Sequence, residues 1–196
     1  MDERTLRVLD YHKIIGLLAG FAQSEPGKKL ALQLKPVSDR DQIQKWQAET
    51  SEAESILAVE GISFLSPFPD IRSRLKKARI GSILSHGDLL QIARVLSLIG
   101  SVRKRMKEHK AKAELVAIPA MIGEMVPQPA LLNHINGCIE TEETLYDHAS
   151  PELNSIRRKI DRANERIRDR LNGFLHSPQK LKYLQDPIIT MRNDRY

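Results

Sequence analysis

Apolar residues recur at intervals of three and four along most of this 196-residue chain. This spacing places apolar side chains on one face of an α-helix, and many of the runs follow residues that cap helix N-termini. One long run follows Ser150-Pro151-Glu152, where serine suits the N-cap and proline the first helical position. The sequence therefore predicts a mainly α protein, with a multi-helix core bundle followed by one long protruding helix.

The predicted helices of the core begin at residues that can accept hydrogen bonds from backbone N–H groups. These residues are Asp10, Ser24, Asp39, Asp70 and Ser85. Prolines after residue 114 divide the next stretch into short helices. Residues 139–149 lack a helical stripe and are predicted to form a turn or a short ribbon.

The long helix carries a narrow apolar seam in a pattern close to a heptad repeat. Its members are Leu153, Ile156, Ile160, Ala163, Ile167 and Leu171. If the helix extends to His176, it would be about 38 Å long at 1.5 Å per residue. Because the rest of its surface is charged or polar, we expect it to stand in solvent beside a single partner helix.

The last residues have a different pattern. Ile188-Ile189-Thr190-Met191 is typical of a β-strand, and Asn193-Asp194 suits a hairpin turn. The chain stops two residues after that turn. We therefore expect the start of a short β-hairpin, and we expect the chain to be the front part of a longer protein.

Positive charge is concentrated in the last quarter of the chain. Residues 150–196 carry eleven basic and six acidic residues, whereas residues 1–149 are nearly neutral. With aromatic residues at only 5%, contact with nucleic-acid phosphates fits better than base stacking. The candidate nucleic-acid-binding residues are Arg157, Arg158, Lys159, Arg162, Arg166, Arg170, Lys180, Lys182, Arg192 and Arg195.

Two alternatives to a nucleic-acid contact stay open at this point. Asp161, Glu165 and Asp169 are spaced to form ion pairs along the helix, so part of the positive charge could be compensated on a solvated flank. The helix could also form a homodimeric coiled coil through its seam. Either alternative makes the segment a structural scaffold that contacts no ligand.

The sequence shows no motif for catalysis, cofactor binding or metal binding. The only Gly-Lys pair, Gly27-Lys28, has Ala22 and Lys29 where a nucleotide-binding loop needs glycine and a hydroxyl residue. His134 and Cys138 could share a helix face, but they supply two ligands where a zinc site has four or, in enzymes, three. We therefore expect no catalytic residue, cofactor or metal in this chain.

Composition favours a cytoplasmic protein. Cys138 is the only cysteine, so no internal disulfide can form. The longest run of apolar and glycine residues, 14–22, is far shorter than the roughly 20 residues that cross a bilayer. The first residues also lack the pattern of a signal peptide.

Several motifs resemble those of a known family. They are Ala149-Ser150-Pro151-Glu152-Leu153 with Ile156-Arg157-Arg158-Lys159-Ile160, and Leu184-Gln185-Asp186-Pro187-Ile188-Ile189-Thr190-Met191-Arg192 with Arg195-Tyr196. The sequence is similar to the bacterial MutS-two family, the MutS paralogues with a C-terminal Smr nuclease domain. The similarity covers essentially the whole chain. Asp194 departs from the glycine that commonly follows Asn193 in the family.

The resemblance implies three segments. Residues 1–149 would be a helical MutS-like core domain, residues 150–183 a lever helix and its connection, and residues 184–196 the beginning of a clamp. In the family, ATP-driven movement of the levers opens and closes the clamps around nucleic acid. The rest of the clamp, the returning lever, the ATPase domain with its ATP and Mg, and the Smr domain would lie outside this chain.

The resemblance also implies a function. The parent would be an ATPase and endonuclease, a homodimer that acts on branched or duplex DNA to suppress homologous recombination, or on stalled ribosomes and their RNA. This chain, a monomer or weak dimer with no membrane contact, would position the clamp and contact phosphates without catalysis.

Overall fold

The computed structural model describes residues 3–61, 65–109, 114–177, 182 and 188–191, apart from the side chain of Glu60. These residues contain nine α-helices and no strand, so the predicted mainly helical fold is confirmed. The chain divides into two compact units, Met1–Thr144 and Leu145–Tyr196, and each is described by itself. The division into core, lever and clamp at residues 149 and 183 stays a prediction.

Eight helices belong to the first unit. They are α1 (Glu3–Val8), α2 (Tyr11–Phe21), α3 (Glu25–Leu32), α4 (Arg40–Glu60), α5 (Arg72–Arg79), α6 (His86–Glu108), α7 (Ala117–Glu124) and α8 (Pro129–Cys138). In the second unit a single turn of 3-10 helix, Asp147–Ala149, precedes α9 (Pro151–Leu175). Helix α1 is an addition to the predicted set, and the proline-divided short helices α7 and α8 confirm the prediction.

Four predicted N-caps are confirmed by hydrogen bonds. In each, the side-chain oxygen accepts a bond from the backbone N–H three residues later, at 2.7 to 3.1 Å. The four are Ser24, Asp39, Ser85 and Ser150. These bonds satisfy N–H groups that have no partner inside their own helix.

One predicted cap is confirmed in position but not in its hydrogen bond, and another is wrong. Asp10 stands at the N-cap of α2 in a left-handed backbone conformation (φ 51°), and its carboxylate pairs with Lys13 at 2.9 Å without capping a backbone N–H group. Helix α5 has Ile71 at its N-cap, and the carboxylate of Asp70 binds both the backbone N–H and the guanidinium of Arg72.

The first unit has an apolar core where α4, α6 and α7 meet. Ile56, Val102, Met106 and Ile122 are buried together there. Leu98, Leu115 and Ile118 pack against them while staying partly exposed. Removal of this apolar surface from water is the main driving force for such an assembly.

The N-terminus of α7 is held by a carboxylate from another helix. Glu52 of α4 accepts hydrogen bonds from the backbone N–H groups of Val116, Ala117 and Ile118 at 2.9, 2.9 and 2.8 Å. Partial burial by itself would raise the pKa of the Glu52 carboxyl, but the three backbone donors outweigh it and lower the pKa below its ordinary value.

The C-terminus of α7 is held by a cation. The Nη1 atom of Arg103, on α6, donates to the carbonyl oxygens of Ile122 at 3.3 Å, Gly123 at 2.9 Å and Met125. Helix dipoles favour negative charge at the N-terminus and positive charge at the C-terminus, so both ends of this eight-residue helix are stabilised from outside. A helix this short is not stable alone in water.

The predicted strand at the C-terminus does not form in the described residues. Residues 188–191 have no regular secondary structure. A strand requires a hydrogen-bonded neighbour, and the predicted turn at Asn193-Asp194 and the return residues lie outside the described part of the chain. The prediction of a strand at 188–191 is therefore wrong as far as the structure extends.

None of the described helices combines the length and the apolar character needed to cross a bilayer.

Replacing Glu52 with alanine is expected to destabilise the first unit. The change leaves three N–H groups at the start of α7 without their acceptor, and loss of a helix cap typically costs about 1 kcal/mol. Glu54→Ala on the exposed side of α4 is the matched control. The measurement is the urea midpoint of unfolding; equal midpoints for the two variants would contradict the role assigned to Glu52.

The effect of Glu52→Ala is also expected to depend on pH. The folded-state pKa of Glu52 lies below its unfolded-state value, so its contribution is complete above that value, about 4.3. The contribution is lost as the pH falls through the folded-state pKa. The difference in unfolding free energy between the native chain and the variant should be constant near neutrality and shrink in acid.

Candidate nucleic-acid interface

Helix α9 exposes its apolar seam. None of its 25 residues is buried. Ile156, Ile160 and Ile167, at the centre of the seam, are 45%, 53% and 42% exposed. Such a stripe on an otherwise charged helix is typical of a surface that packs against another helix. The structure thus confirms a solvated helix with one narrow apolar face.

Helix α9 also carries a row of cations. At 100° per residue, Arg158, Arg162, Arg166 and Arg170 turn by about 40° at each step, from opposite the seam at Arg158 to beside it at Arg170, and successive members are about 6 Å apart along the axis. We call these four residues the arginine face. Lys159 lies beside it, and two shallow surface grooves run along it, both bordered by Lys159 and Arg162.

The acidic residues of α9 form no ion pair with the arginine face among the described residues. Asp161, Glu165 and Asp169 have the spacing for ion pairs, but in this part of the chain none of them lies within 4.0 Å of a cation. The only hydrogen bond formed there by an arginine-face side chain joins Arg166 Nε to the carbonyl oxygen of Arg162 at 3.3 Å. Glu165 and Asp169 border the same groove as Arg162 and Arg166, so they reduce the positive charge near it without direct pairing.

Arg157 has a different role. Its Nη1 atom donates to the carbonyl oxygen of Leu145 at 2.9 Å and pairs with the carboxylate of Asp147. The rings of Tyr146 and His148 stack nearby in sequence, with centroids 5.0 Å apart. Arg157 therefore holds the residues before α9 against the helix. It has a structural role and is not part of the arginine face.

The other predicted residues fall near the end of the chain. Lys182 is described and exposed, at a turn. Lys180, Arg192 and Arg195 lie outside the described residues. The structure thus brings together five of the ten candidates, namely the arginine face and Lys159.

The sequence reasoning missed a second concentration of positive charge. Helix α5, with the sequence RSRLKKAR, contains five basic and no acidic residues. The signal was visible in the sequence, but a charge balance taken over residues 1–149 averages it with acidic residues elsewhere.

The described residues offer no grouping of side chains for a metal ion. No three histidine, cysteine, aspartate or glutamate side chains in this part of the chain are arranged to hold a metal ion. Gly27 and Lys28 lie inside α3, so this pair forms a turn of helix, as predicted.

Comparison with known proteins identifies the family. The chain is 41% identical over 196 residues to endonuclease MutS2 of Alkaliphilus oremlandii, 37% over 197 residues to that of Acetivibrio thermocellus, and 36% over 197 residues to that of Geobacillus thermodenitrificans. Each match covers the whole chain and 25% of the relative. No family model matches the chain.

Along its whole length this mainly helical chain is similar to endonucleases of the MutS2 family, which confirms the resemblance drawn from its motifs. The chain spans about a quarter of the length of the relatives it matches.

Replacing Arg157 with glutamine is expected to loosen the 3-10 turn before α9, because the side chain loses its bonds to Leu145 and Asp147. The backbone N–H of Ala149, which donates to Tyr146, should then exchange its hydrogen roughly two- to fivefold faster, as expected for loss of up to ~1 kcal/mol. Arg168→Gln, on an exposed part of the same helix, serves as the control. Unchanged exchange at Ala149 would contradict this role.

Proposed function

We propose that this chain is the core and lever part of a MutS2-type nucleic-acid-binding protein, and that the arginine face of α9 contacts phosphates. The observation that supports this most directly is the row of four arginines, spaced four residues apart, without ion-pair partners in the described residues. Arginine suits this role because its guanidinium stays charged and binds phosphate oxygens through paired N–H groups.

The position of the arginine face allows α9 two roles, as a lever that packs against another helix and as a surface that contacts phosphates. A partner helix that covers Ile156, Ile160 and Ile167 would leave the rest of the helix surface open to solvent. Arg158 and Arg162 lie farthest from the seam, so one helix can pack against a moving element through its seam and hold an anionic polymer through these cations. Few aromatic residues accompany the cations, so the contact is with the phosphate backbone and is independent of base sequence.

For the whole protein we propose the activity that its relatives' names indicate. They are named endonucleases, and the sequence of this chain carries none of the catalytic motifs considered above. The nuclease would reside in other parts, together with an ATPase that uses ATP and Mg. The complete homodimer would close its clamps on branched or duplex DNA, suppressing homologous recombination, or on the RNA of stalled ribosomes.

A second candidate function is a scaffold without nucleic-acid contact. The exposed seam favours it, because packing against a partner helix alone would explain α9. A homodimeric coiled coil through the same seam is a variant of this function. Both predict that the arginine face can be neutralised without consequence for nucleic-acid binding.

Replacing Arg158, Arg162, Arg166 and Arg170 together with glutamine separates the two functions. Each phosphate contact contributes about 0.9 to the slope of log K against log salt for duplex DNA. We expect the quadruple variant to bind a labelled DNA duplex more weakly and to reduce the slope by about 3 to 4. The measurement is fluorescence anisotropy over a series of salt concentrations.

The control removes the same charge elsewhere. Arg4, Arg7, Arg40 and Lys45 are exposed residues of α1 and α4, and their replacement with glutamine lowers the net charge equally. Helical content measured by circular dichroism should be the same for both quadruple variants. A salt slope equal to that of the control would overturn the phosphate contact and leave the scaffold function.

A further inference from the structure

We propose that α5, in the first unit, forms a second surface that contacts nucleic-acid phosphates, through Arg72, Lys76 and Arg79. We call these three residues the α5 face. The kind of anion that this surface binds, a nucleic acid, is taken from the proposed function. The surface itself is inferred from the ion pairs and the exposed side chains of α5.

The dipole of α5 does not explain its charges. Cations in the last turn are favoured by the partial negative charge of a helix C-terminus. Arg72 and Arg74, however, stand in the first turn, where the partial positive charge of the N-terminus disfavours them. The structure shows how each of these two is accommodated.

Arg74 and Lys77 share one carboxylate of α6. The Nε atom of Arg74 lies 2.9 Å from Asp88 Oδ1, and the Nζ atom of Lys77 lies 4.0 Å from Asp88 Oδ2. Asp88 also accepts the backbone N–H of Ser85 in the capping box of α6. One carboxylate therefore positions this side of α5 on the N-terminus of α6.

Arg72 is held in place by Asp70. Its Nε and Nη2 atoms bind the two carboxylate oxygens at 2.9 and 2.7 Å, and Lys29 of α3 binds the same carboxylate at 3.0 Å. These bonds hold the pKa of Asp70 well below its usual range, so the carboxylate stays charged. The side chain of Arg72 is nevertheless 65% exposed, which leaves a fixed cation at the surface.

Lys76 and Arg79 complete the face. They follow Arg72 by four and seven residues, so the three cations lie on one side of the helix over about 10 Å. Both are exposed, and no ion pair or hydrogen bond involves either side chain among the described residues. The acidic neighbours, Asp70 and Asp88, are already shared among Lys29, Arg72, Arg74 and Lys77.

The chemistry of the face suits a phosphate backbone. Three cations spaced about 4 to 6 Å along an axis match a polymer with evenly repeated negative charge. The next residues, Ile80 and Ile83, are 78% and 96% exposed and offer no aromatic ring for stacking on a base. We therefore infer a contact that depends on salt and not on base sequence.

The test is the double variant Lys76→Gln with Arg79→Gln in the 196-residue chain. Neither side chain holds α5 in place, so the fold should be retained. We expect weaker binding to a labelled DNA duplex and a salt slope reduced by about 2 relative to the unmodified chain. Arg40→Gln with Lys45→Gln, on exposed positions of α4, removes the same charge and should change the slope less.

The outcomes separate this inference from the arginine face of α9. A reduced slope for the α5 variant with no effect of the α9 variant would support the second surface and overturn the first. The reverse would overturn the α5 face and leave the α9 contact in place. If the α5 variant binds as its control does, the face does not contact phosphates, and an acidic protein would be its remaining partner.

Discussion

The two ends of α7 are bound by side chains of opposite charge, and the core of the first unit depends on this arrangement. Glu52 brings α4 to one end and Arg103 brings α6 to the other. The buried cluster of Ile56, Val102, Met106 and Ile122 lies between the same three helices. Apolar contacts are not directional, so these hydrogen bonds specify the position of α7 along its neighbours.

The cations of this protein fall into two groups according to their partners. Arg74, Arg103 and Arg157 bind carboxylates or carbonyl oxygens of their own unit and stabilise the fold. The arginine face of α9, and Lys76 and Arg79 of α5, form no ion pair in the described residues, and the one hydrogen bond from these side chains there joins Arg166 to the carbonyl oxygen of Arg162. A net charge of +6 for the whole chain reveals neither group, because it averages both with the acidic residues. The distribution of ion pairs is therefore more informative about binding than the net charge of the whole chain.

The features that could be predicted from the sequence are those set by residues close together in the chain. Four of the N-caps and the full extent of α9 depend on residues three or four apart, and each was predictable for that reason. The binding of the two ends of α7 by Glu52 and Arg103 was not predictable. Glu52, for example, lies 64 residues before the first N–H group that it binds. The role of Arg157 was missed for a related reason: a candidate cation can be recognised in a sequence, but its partner, Asp147, is known only from the fold.

The narrow seam of α9 has a mechanical consequence. A stripe about one residue wide resists sliding along the helix axis, since its side chains interlock with those of a partner, but it resists rolling about that axis only weakly. Because the four arginines project from the same rigid helix, any roll of the helix turns their guanidinium groups through the same angle. A rotation transmitted through the partner helix would thus change the direction in which the guanidinium groups point, without breaking a hydrogen bond inside α9.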